Sequence, residues 1–269
     1  MRLYKRDYTK LTVEDRNQLE KNKVESSLKL NEKKFEINNT NKLLFSKGIK
    51  HYQSLFPNNY LDPDDLIMKD KLGQINQRFV KLIDNRSTKE RDILAFIKNE
   101  EAYHIIGAIL ADNYNFGHHS TYLFPEFELP ASYKSDFLLI GRRSGGHEFL
   151  FIEFEEVYGQ IATQDGSFGL AIRKGLKQIE DWEFWLESNF HSMKIIFEKY
   201  KSENEQLPRE FYNFDKTRVH YALVAGRRGD FKETTYRNQR IKRQDSDINV
   251  FHYDNLIDLS NKIIGQKSY

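Results

Sequence analysis

The sequence contains no cysteine among its 269 residues. Disulfide bonds, thiolate nucleophiles and metal sites with cysteine ligands are therefore excluded. A chain without cysteine suits a reducing compartment. Any chemistry in this protein must come from its oxygen and nitrogen side chains.

Long hydrophobic runs are also missing. No stretch approaches the ~18 uninterrupted apolar residues of a membrane span. Residues 1–16 mix charges of both signs and lack the apolar block of a secretory signal. We therefore expect a cytoplasmic protein.

Neither sign of charge is in large excess. The chain has 42 Lys and Arg residues and 40 Asp and Glu residues, which give a formal net charge of +2. Net charge thus predicts neither an acidic nor a basic partner. A hydrophobic fraction of 39%, with 20 Phe and 15 Tyr, is enough for a core, while 30% charged residues imply a solvated surface. These proportions are typical of a globular protein of one or two domains.

Composition changes near residue 86. Residues 1–86 are rich in Lys, Glu and Asn and show weak hydrophobic periodicity, whereas regular patterns begin at Ser87. We predict a smaller N-terminal domain over residues 1–86, with a regulatory or assembly role, and a main domain over residues 87–269.

Helical and strand patterns alternate in the main domain. The spacing Ser87-Thr88-Lys89-Glu90 fits a capping box, so a helix, continuous or broken, is predicted through Leu110. The Gly-rich turn from Gly141 to His147 predicts a hairpin. Strands are predicted at 122–129, 137–140, 149–157, 219–225 and 248–253, and helices at 66–84, 172–189, 193–201 and 254–264. This alternation predicts an α/β or α+β domain around a mixed sheet.

Two carboxylates lie on one face of the second hairpin strand, since Glu153 and Glu155 are two residues apart. If the turn pairs Arg143 with Gly146, Asp136 lies opposite Glu153, at a Cβ separation of roughly 4.5 to 5.5 Å. Three converging carboxylates repel one another unless a cation neutralises them, and hard oxygen ligands suit Mg²⁺ or Mn²⁺. The pattern indicates a site for a divalent metal.

A second interpretation is open, because acidic residues at alternate positions also mark the solvated face of an antiparallel sheet. Phe149, Phe151 and Val157 share the face with both Glu residues, which favours partial burial and a partner for the carboxylates. The following helix also carries Lys174 and Gln178 at helical spacing, so Gln178 is expected to lean over the site.

The order of these residues resembles a known family. The pattern consists of Glu128, Asp136 and Phe137, then Ile152 to Glu155, then Gln178 to Trp182, then Ala225 to Arg227, then Val250 to Leu256. It resembles the Shedu antiphage nucleases, a branch of the PD-(D/E)XK superfamily, over about residues 87–269. The resemblance implies a restriction-endonuclease-like mixed sheet flanked by helices.

The same resemblance implies site residues. Asp136 and Glu153 match the metal-binding carboxylates and Gln178 matches the active-site glutamine. Glu128 matches an acidic position that assists, and it is expected to be a third metal ligand. Glu155 stands where many relatives carry Lys, and it would bind a second metal or act as general base. The implied activity is Mg²⁺-dependent DNA endonuclease action in antiphage defence, with Mn²⁺ expected to substitute, phage DNA as partner and a homo-oligomeric assembly.

Basic residues supply a candidate DNA surface, because phosphate contacts provide most non-specific affinity. A solvated surface loop is the alternative interpretation of each of them. The candidates are Arg142, Arg143, Lys174, Arg227, Arg228, Arg237, Arg240 and Arg243.

Other chemistries lack support. The glycines after Ile140 have no Lys-Ser/Thr ending, so they are not a P-loop, and no nucleophile elbow is present. The competing hypothesis is a nuclease-fold module that binds DNA or regulates but has lost catalysis, motivated by Glu155 in place of Lys.

Overall fold

The structure is a computed structural model that describes residues 2–31, 46–112, 114–130 and 133–269, without the side chains of residues 23–31. The predicted N-terminal domain includes residues 32–45, which lie outside the described residues. In the described ranges, no helix is long and apolar enough to cross a membrane.

Helices and strands alternate along the described chain. Five helices come first, followed by a three-strand meander, two helices, a strand, a helix, a strand and a final helix. In chain order they are α1 (Val13–Asn31), α2 (Lys47–Tyr52), α3 (Lys69–Asp84), α4 (Glu90–Asn99), α5 (Tyr103–Gly107), β1 (Ser120–Leu129), β2 (Tyr133–Arg143), β3 (Gly146–Phe154), α6 (Leu170–Asn189), α7 (Met193–Tyr200), β4 (Val219–Val224), α8 (Glu233–Ser246), β5 (Ile248–Phe251) and α9 (Tyr253–Ile263).

The strands form one five-stranded mixed sheet in the order β1-β2-β3-β4-β5. β1, β2 and β3 pair antiparallel, whereas β3, β4 and β5 pair parallel. The prediction of a mixed α/β sheet flanked by helices is confirmed. Because β3 has strands on both sides and helices on both faces, almost every residue in it is buried.

Two apolar layers cover the two faces of the sheet. One contains Phe79 of α3, Ile106 of α5 and Leu256 of α9, and the other contains Trp182 of α6 and Phe197 of α7. The first layer takes Leu61, Phe79 and Ile83 from the segment before residue 86. Removing residues 1–86 would therefore open the core beneath the sheet, although a separate function for that segment stays a prediction.

The predicted hairpin is confirmed, with Arg143 opposite Gly146 and Phe137 opposite Ile152. Gly146 has φ of 110°, which favours glycine at the turn.

The predicted extension of β3 to Val157 is wrong. Phe154 N donates to the side chain of Asp136 instead of a β2 carbonyl, which ends this ladder, and Val157 packs in the layer with α3 and α9.

Two further local predictions are wrong or missing. Helix α4 begins at Glu90, and its N-cap is Lys89, whose N donates to Asp92 Oδ2, instead of Ser87. Of the two predicted forms of this region the broken one is present, because the left-handed backbone of Glu101 (φ 49°) separates α4 from α5. α8 was not predicted as a helix, because its sequence is polar on almost every side and only Thr235 in it is buried.

A charged cluster joins the amino ends of the parallel strands. His220 of β4 contacts Asp247 Oδ2 through Nδ1 at 2.6 Å and Glu148 Oε2 of β3 through Nε2 at 2.8 Å. Glu148 also pairs with Arg143. Burial lowers the pKa of His220, but the hydrogen bonds to Asp247 and Glu148 outweigh it, so the pKa is raised above its usual value.

We expect His220 to stabilise the fold in a pH-dependent way. Because its pKa is higher in the folded chain, its contribution is fully present below the unfolded pKa of about 6.5 and is lost as pH rises through the folded pKa. In urea unfolding at pH 6, the free energy of unfolding of His220→Gln should be lower than that of the parent chain by roughly 1 kcal/mol. The difference between the two chains should be smaller at pH 9. The exposed His191→Gln is the control, and a gap that widens with pH would contradict the assignment.

Candidate active site

Four carboxylates gather near the carboxyl end of β3, and we call them the acidic centre: Glu90, Asp136, Glu153 and Glu155. Asp136 comes from β2, Glu153 lies in β3, Glu155 follows it, and Glu90 is the first residue of α4. The predicted convergence of Asp136, Glu153 and Glu155 agrees with this placement, because the charges of Asp136 and Glu155 raise the pKa of Glu153, and the charge of Glu155 also raises the pKa of Asp136.

Glu153 and Asp136 are held by hydrogen bonds from separate elements. Gln178 Nε2 of α6 donates to Glu153 Oε1 at 2.6 Å, and Phe154 N donates to Asp136 Oδ2 at 2.7 Å. Glu153 is only 6% exposed, and its second oxygen, Oε2, is buried with no hydrogen-bond partner. A buried carboxylate oxygen without a donor is costly, which is typical of a group kept for function.

The electrostatics oppose ionisation of this pair. Burial raises the pKa of Glu153 far above its usual range, and the charges of Asp136, Glu155 and Glu90 raise it further. Burial likewise raises the pKa of Asp136; the hydrogen bond from Phe154 N opposes this rise, and the charge of Glu90 adds to it. Strongly perturbed carboxyl groups of this kind are characteristic of functional sites.

Glu155 is bound to a lysine of α6. Lys174 Nζ lies 3.0 Å from both Oε1 and Oε2 of Glu155, and Tyr253 Oη donates to the backbone oxygen of Glu155 at 2.7 Å. α6 approaches this closely because Gly175 has no side chain, since a Cβ there would lie 2.4 Å from Leu223 Cδ1 and 3.0 Å from Glu155 Cγ.

Glu90 was not predicted as a site residue. It is partly buried, burial raises its pKa, and the charge of Lys174 lowers it. In the sequence Glu90 fits the last position of a capping box, and this role in starting a helix was enough to explain a carboxylate at position 90. No spacing along the chain connects it to Glu153, because the two are joined only by the packing of α4 against the sheet.

Glu128 is not brought together with the acidic centre. It is exposed near the end of β1, opposite Lys134. Its neighbours Phe127 and Leu129 belong to the apolar layer that contains α6, so Glu128 points to the other face of the sheet. Its role as a metal ligand stays a prediction.

The residues predicted to bind DNA fall in four places: the hairpin turn, the loop after β4, α6 and α8. Arg142 and Arg143 lie at the far end of the hairpin, where Arg142 is roughly 20 Å from Asp136 along β2 and Arg143 pairs with Glu148. Arg228 pairs with Asp258. Lys174 lies beside the acidic centre.

Arg227 has every N–H engaged within the chain. Its Nε and Nη2 donate to Asp254, Nη2 also to Asp84 at 2.9 Å, and Nη1 to Ile83 O and Tyr158 Oη. A contact with phosphate would require one of these bonds to break.

Three arginines of α8 remain available, and we call Arg237, Arg240 and Arg243 the α8 basic face. All three are exposed, and no ion pair to them is present in the described part of the chain. Lys242 of the same helix pairs with Glu180 of α6 at 2.9 Å, so the α8 basic face lies on the helix next to the one that carries Gln178.

The acidic centre suits Mg²⁺ as a partial ligand set. No three His, Asp or Glu side chains among the described residues are already arranged to hold a metal ion. Mg²⁺, however, is usually held by one or two carboxylates together with water and substrate phosphates. Asp136 and Glu153, with Oε2 of Glu153 unpaired, fit that requirement.

The comparisons with known proteins identify one family. The family model described as Shedu protein SduA, C-terminal, matches residues 87–257, which is more than half of the chain. No curated protein matches the chain. The matched range contains the whole acidic centre together with Lys174 and Gln178.

We expect Glu153→Gln to stabilise the chain without metal. The raised pKa of Glu153 means that the folded state loses stability as pH rises from the unfolded pKa of about 4.3 towards the folded pKa. In EDTA at pH 8, the free energy of unfolding of Glu153→Gln should therefore exceed that of the parent chain by on the order of 1 kcal/mol or more. This difference should become smaller towards pH 5.

Thermal and urea unfolding with and without Mg²⁺ measure this difference. Mg²⁺ should stabilise the parent chain more than Glu153→Gln, because ligands that bind only the folded state stabilise it. The exposed Glu187→Gln is the matched control. Equal pH dependence in all three chains would show that Glu153 is not perturbed.

Proposed function

The chain belongs to the Shedu family, and we propose that it is a Mg²⁺-dependent DNA endonuclease of the PD-(D/E)XK type that acts in antiphage defence. The main supporting observation is the pair Asp136 and Glu153, held side by side although burial and repulsion oppose their charges. A protein gains nothing structural from such a pair, whereas a divalent cation and a phosphate give it a use.

Asp136 and Glu153 would hold Mg²⁺, as carboxylates at such sites do. When bound, the ion lowers the pKa of a water and offsets the charge that develops on the phosphate. Gln178 fixes the orientation of Glu153 by donating to Oε1. That bond leaves Oε2 as the oxygen available to a ligand.

DNA would approach over α6 and α8. The acidic centre is negative, so the duplex needs cations beside it, and the α8 basic face supplies three without acidic partners in the described chain. Assembly into a homo-oligomer and a regulatory role for residues 1–86 remain part of the proposal, as expectations from the family.

We expect the full chain to cut DNA in a metal-dependent manner. Supercoiled plasmid, linear duplex and single-stranded DNA would be incubated with Mg²⁺, Mn²⁺ or EDTA. Asp136→Asn and Glu153→Gln should each lower the rate by on the order of 100-fold or more, since each removes a charged ligand, whereas Glu187→Gln should cut like the parent.

DNA binding without cleavage on any substrate would favour the competing hypothesis of a degenerate DNA-binding module. The full chain is the appropriate protein for this assay, because Phe79 and Ile83 from the segment before residue 86 lie in the core.

The α8 basic face should contribute to affinity and not to chemistry. Changing Arg237, Arg240 and Arg243 to Gln should weaken DNA binding in EDTA and reduce the slope of log affinity against log salt by about 0.9 for each arginine that contacts a phosphate. Fluorescence anisotropy at several salt concentrations measures both.

The matched control carries the same change in net charge on another surface. Lys194, Lys199 and Arg209 are exposed in and after α7, and changing all three to Gln should leave the salt slope unchanged. Equal losses in the two triple variants would show that only net charge matters.

A further inference from the structure

Lys174 has a position that affinity for DNA does not explain. It lies in the second turn of α6, and its ammonium is 3.0 Å from both oxygens of Glu155. Glu155 is 1% exposed, whereas 64% of the Lys174 side chain is exposed. The ammonium is thus fixed on its inner side and open to solvent on its outer side.

The charge of Lys174 acts on most of the acidic centre. It lowers the pKa of Glu90, Glu153 and Glu155. Lys134, which acts on Asp136, is paired with Glu126 outside the centre. A phosphate that entered this site would meet four carboxylates, and Lys174 is the ammonium placed among them.

The ammonium of Lys174 has one more N–H donor than its contacts with Glu155 require. An ammonium has three N–H donors, and two of them suffice for the oxygens of Glu155. The hydrogen bond to Glu155 raises the pKa of Lys174, so the group stays protonated through the neutral range. The third donor is left for an oxygen of a phosphate that enters the centre.

We propose that Lys174 is a catalytic residue that donates a hydrogen bond to a non-bridging oxygen of the scissile phosphate, and that Glu155 holds it there. This inference rests on the proposed nuclease function. A water oxygen forms the new bond to phosphorus and releases a proton to solvent, while the bond from phosphorus to the leaving sugar oxygen breaks and that oxygen takes up a proton from solvent. Lys174 keeps its proton and offsets the charge that grows on the phosphate.

Glu155 then becomes a positioning residue, in place of the predicted second metal ligand or general base. Its two oxygens are occupied by Lys174, and its backbone is fixed by Tyr253 Oη and by Val224 O, which accepts from Glu155 N. Because Lys174 Nζ lies 3.0 Å from both carboxylate oxygens of Glu155, a lysine at position 155 would place its ammonium in the same region.

The experiment compares Lys174→Ala, Lys174→Arg, and Lys174→Ala combined with Glu155→Lys. Single-turnover cleavage at saturating DNA should fall by ~100-fold or more in Lys174→Ala, the usual loss for one transition-state donor. DNA affinity in EDTA should stay within about threefold. Lys174→Arg should retain part of the rate, and adding Glu155→Lys should recover at least about tenfold, because a cation returns to the same place.

The exposed Lys177→Ala on the same helix is the control, since Lys177 pairs with Asp181 away from the centre. Lys174→Ala leaves Glu155 buried and unpaired, so thermal unfolding accompanies each assay, and the combined variant removes that unpaired charge.

A rate restored to the parent value by saturating DNA would make Lys174 a binding residue only and overturn the inference. An unchanged rate, or no recovery with Glu155→Lys in a folded chain, would also overturn it. A parent chain that never cuts would instead refute the proposed nuclease, and the inference with it.

Discussion

Repulsion between Asp136 and Glu153 is the interaction that the rest of the site is built to contain. Both groups carry a raised pKa because burial removes water from charges that already repel. Phe154 N and Gln178 Nε2 each satisfy one oxygen, which still leaves Glu153 Oε2 without a donor. The two apolar layers that cover the sheet must supply the stability that this pair removes.

Close packing of α6 against the parallel strands gives the pair its surroundings. Gly175 removes the side chain that would collide with Leu223, so Lys174 and Gln178, one helical turn apart, both reach β3 and the residue after it. One helix face therefore delivers an ammonium to Glu155 and an amide to Glu153. A larger residue at 175 would move both contacts together, which ties the chemistry of the centre to a backbone distance.

Sequence patterns predicted the parts of this site that depend on local geometry. Period-two alternation and the turn from Arg143 to Gly146 were enough to place Asp136 beside Glu153, because strand register follows from the turn. Glu90 could not be found in this way, since its contact with the centre depends on how α4 packs. α8 was missed for a related reason: Thr235 is its one buried residue, so the sequence has no hydrophobic period, and tertiary contacts with β5 hold the helix in place.

Arg227 shows why charge in a sequence does not identify its partner. Beside Gly226 it looks like a phosphate contact, yet its five N–H groups bind the end of α3, Tyr158 and Asp254 of α9. Tyr158 follows Glu155 by three residues, and Glu90 follows Asp84 by six. The segments that carry these two carboxylates are thus tied to one guanidinium. A shift of α3 relative to α9 must break these hydrogen bonds, so Arg227 has a structural role in which it holds the end of α3 to α9 and to the segment that follows Glu155.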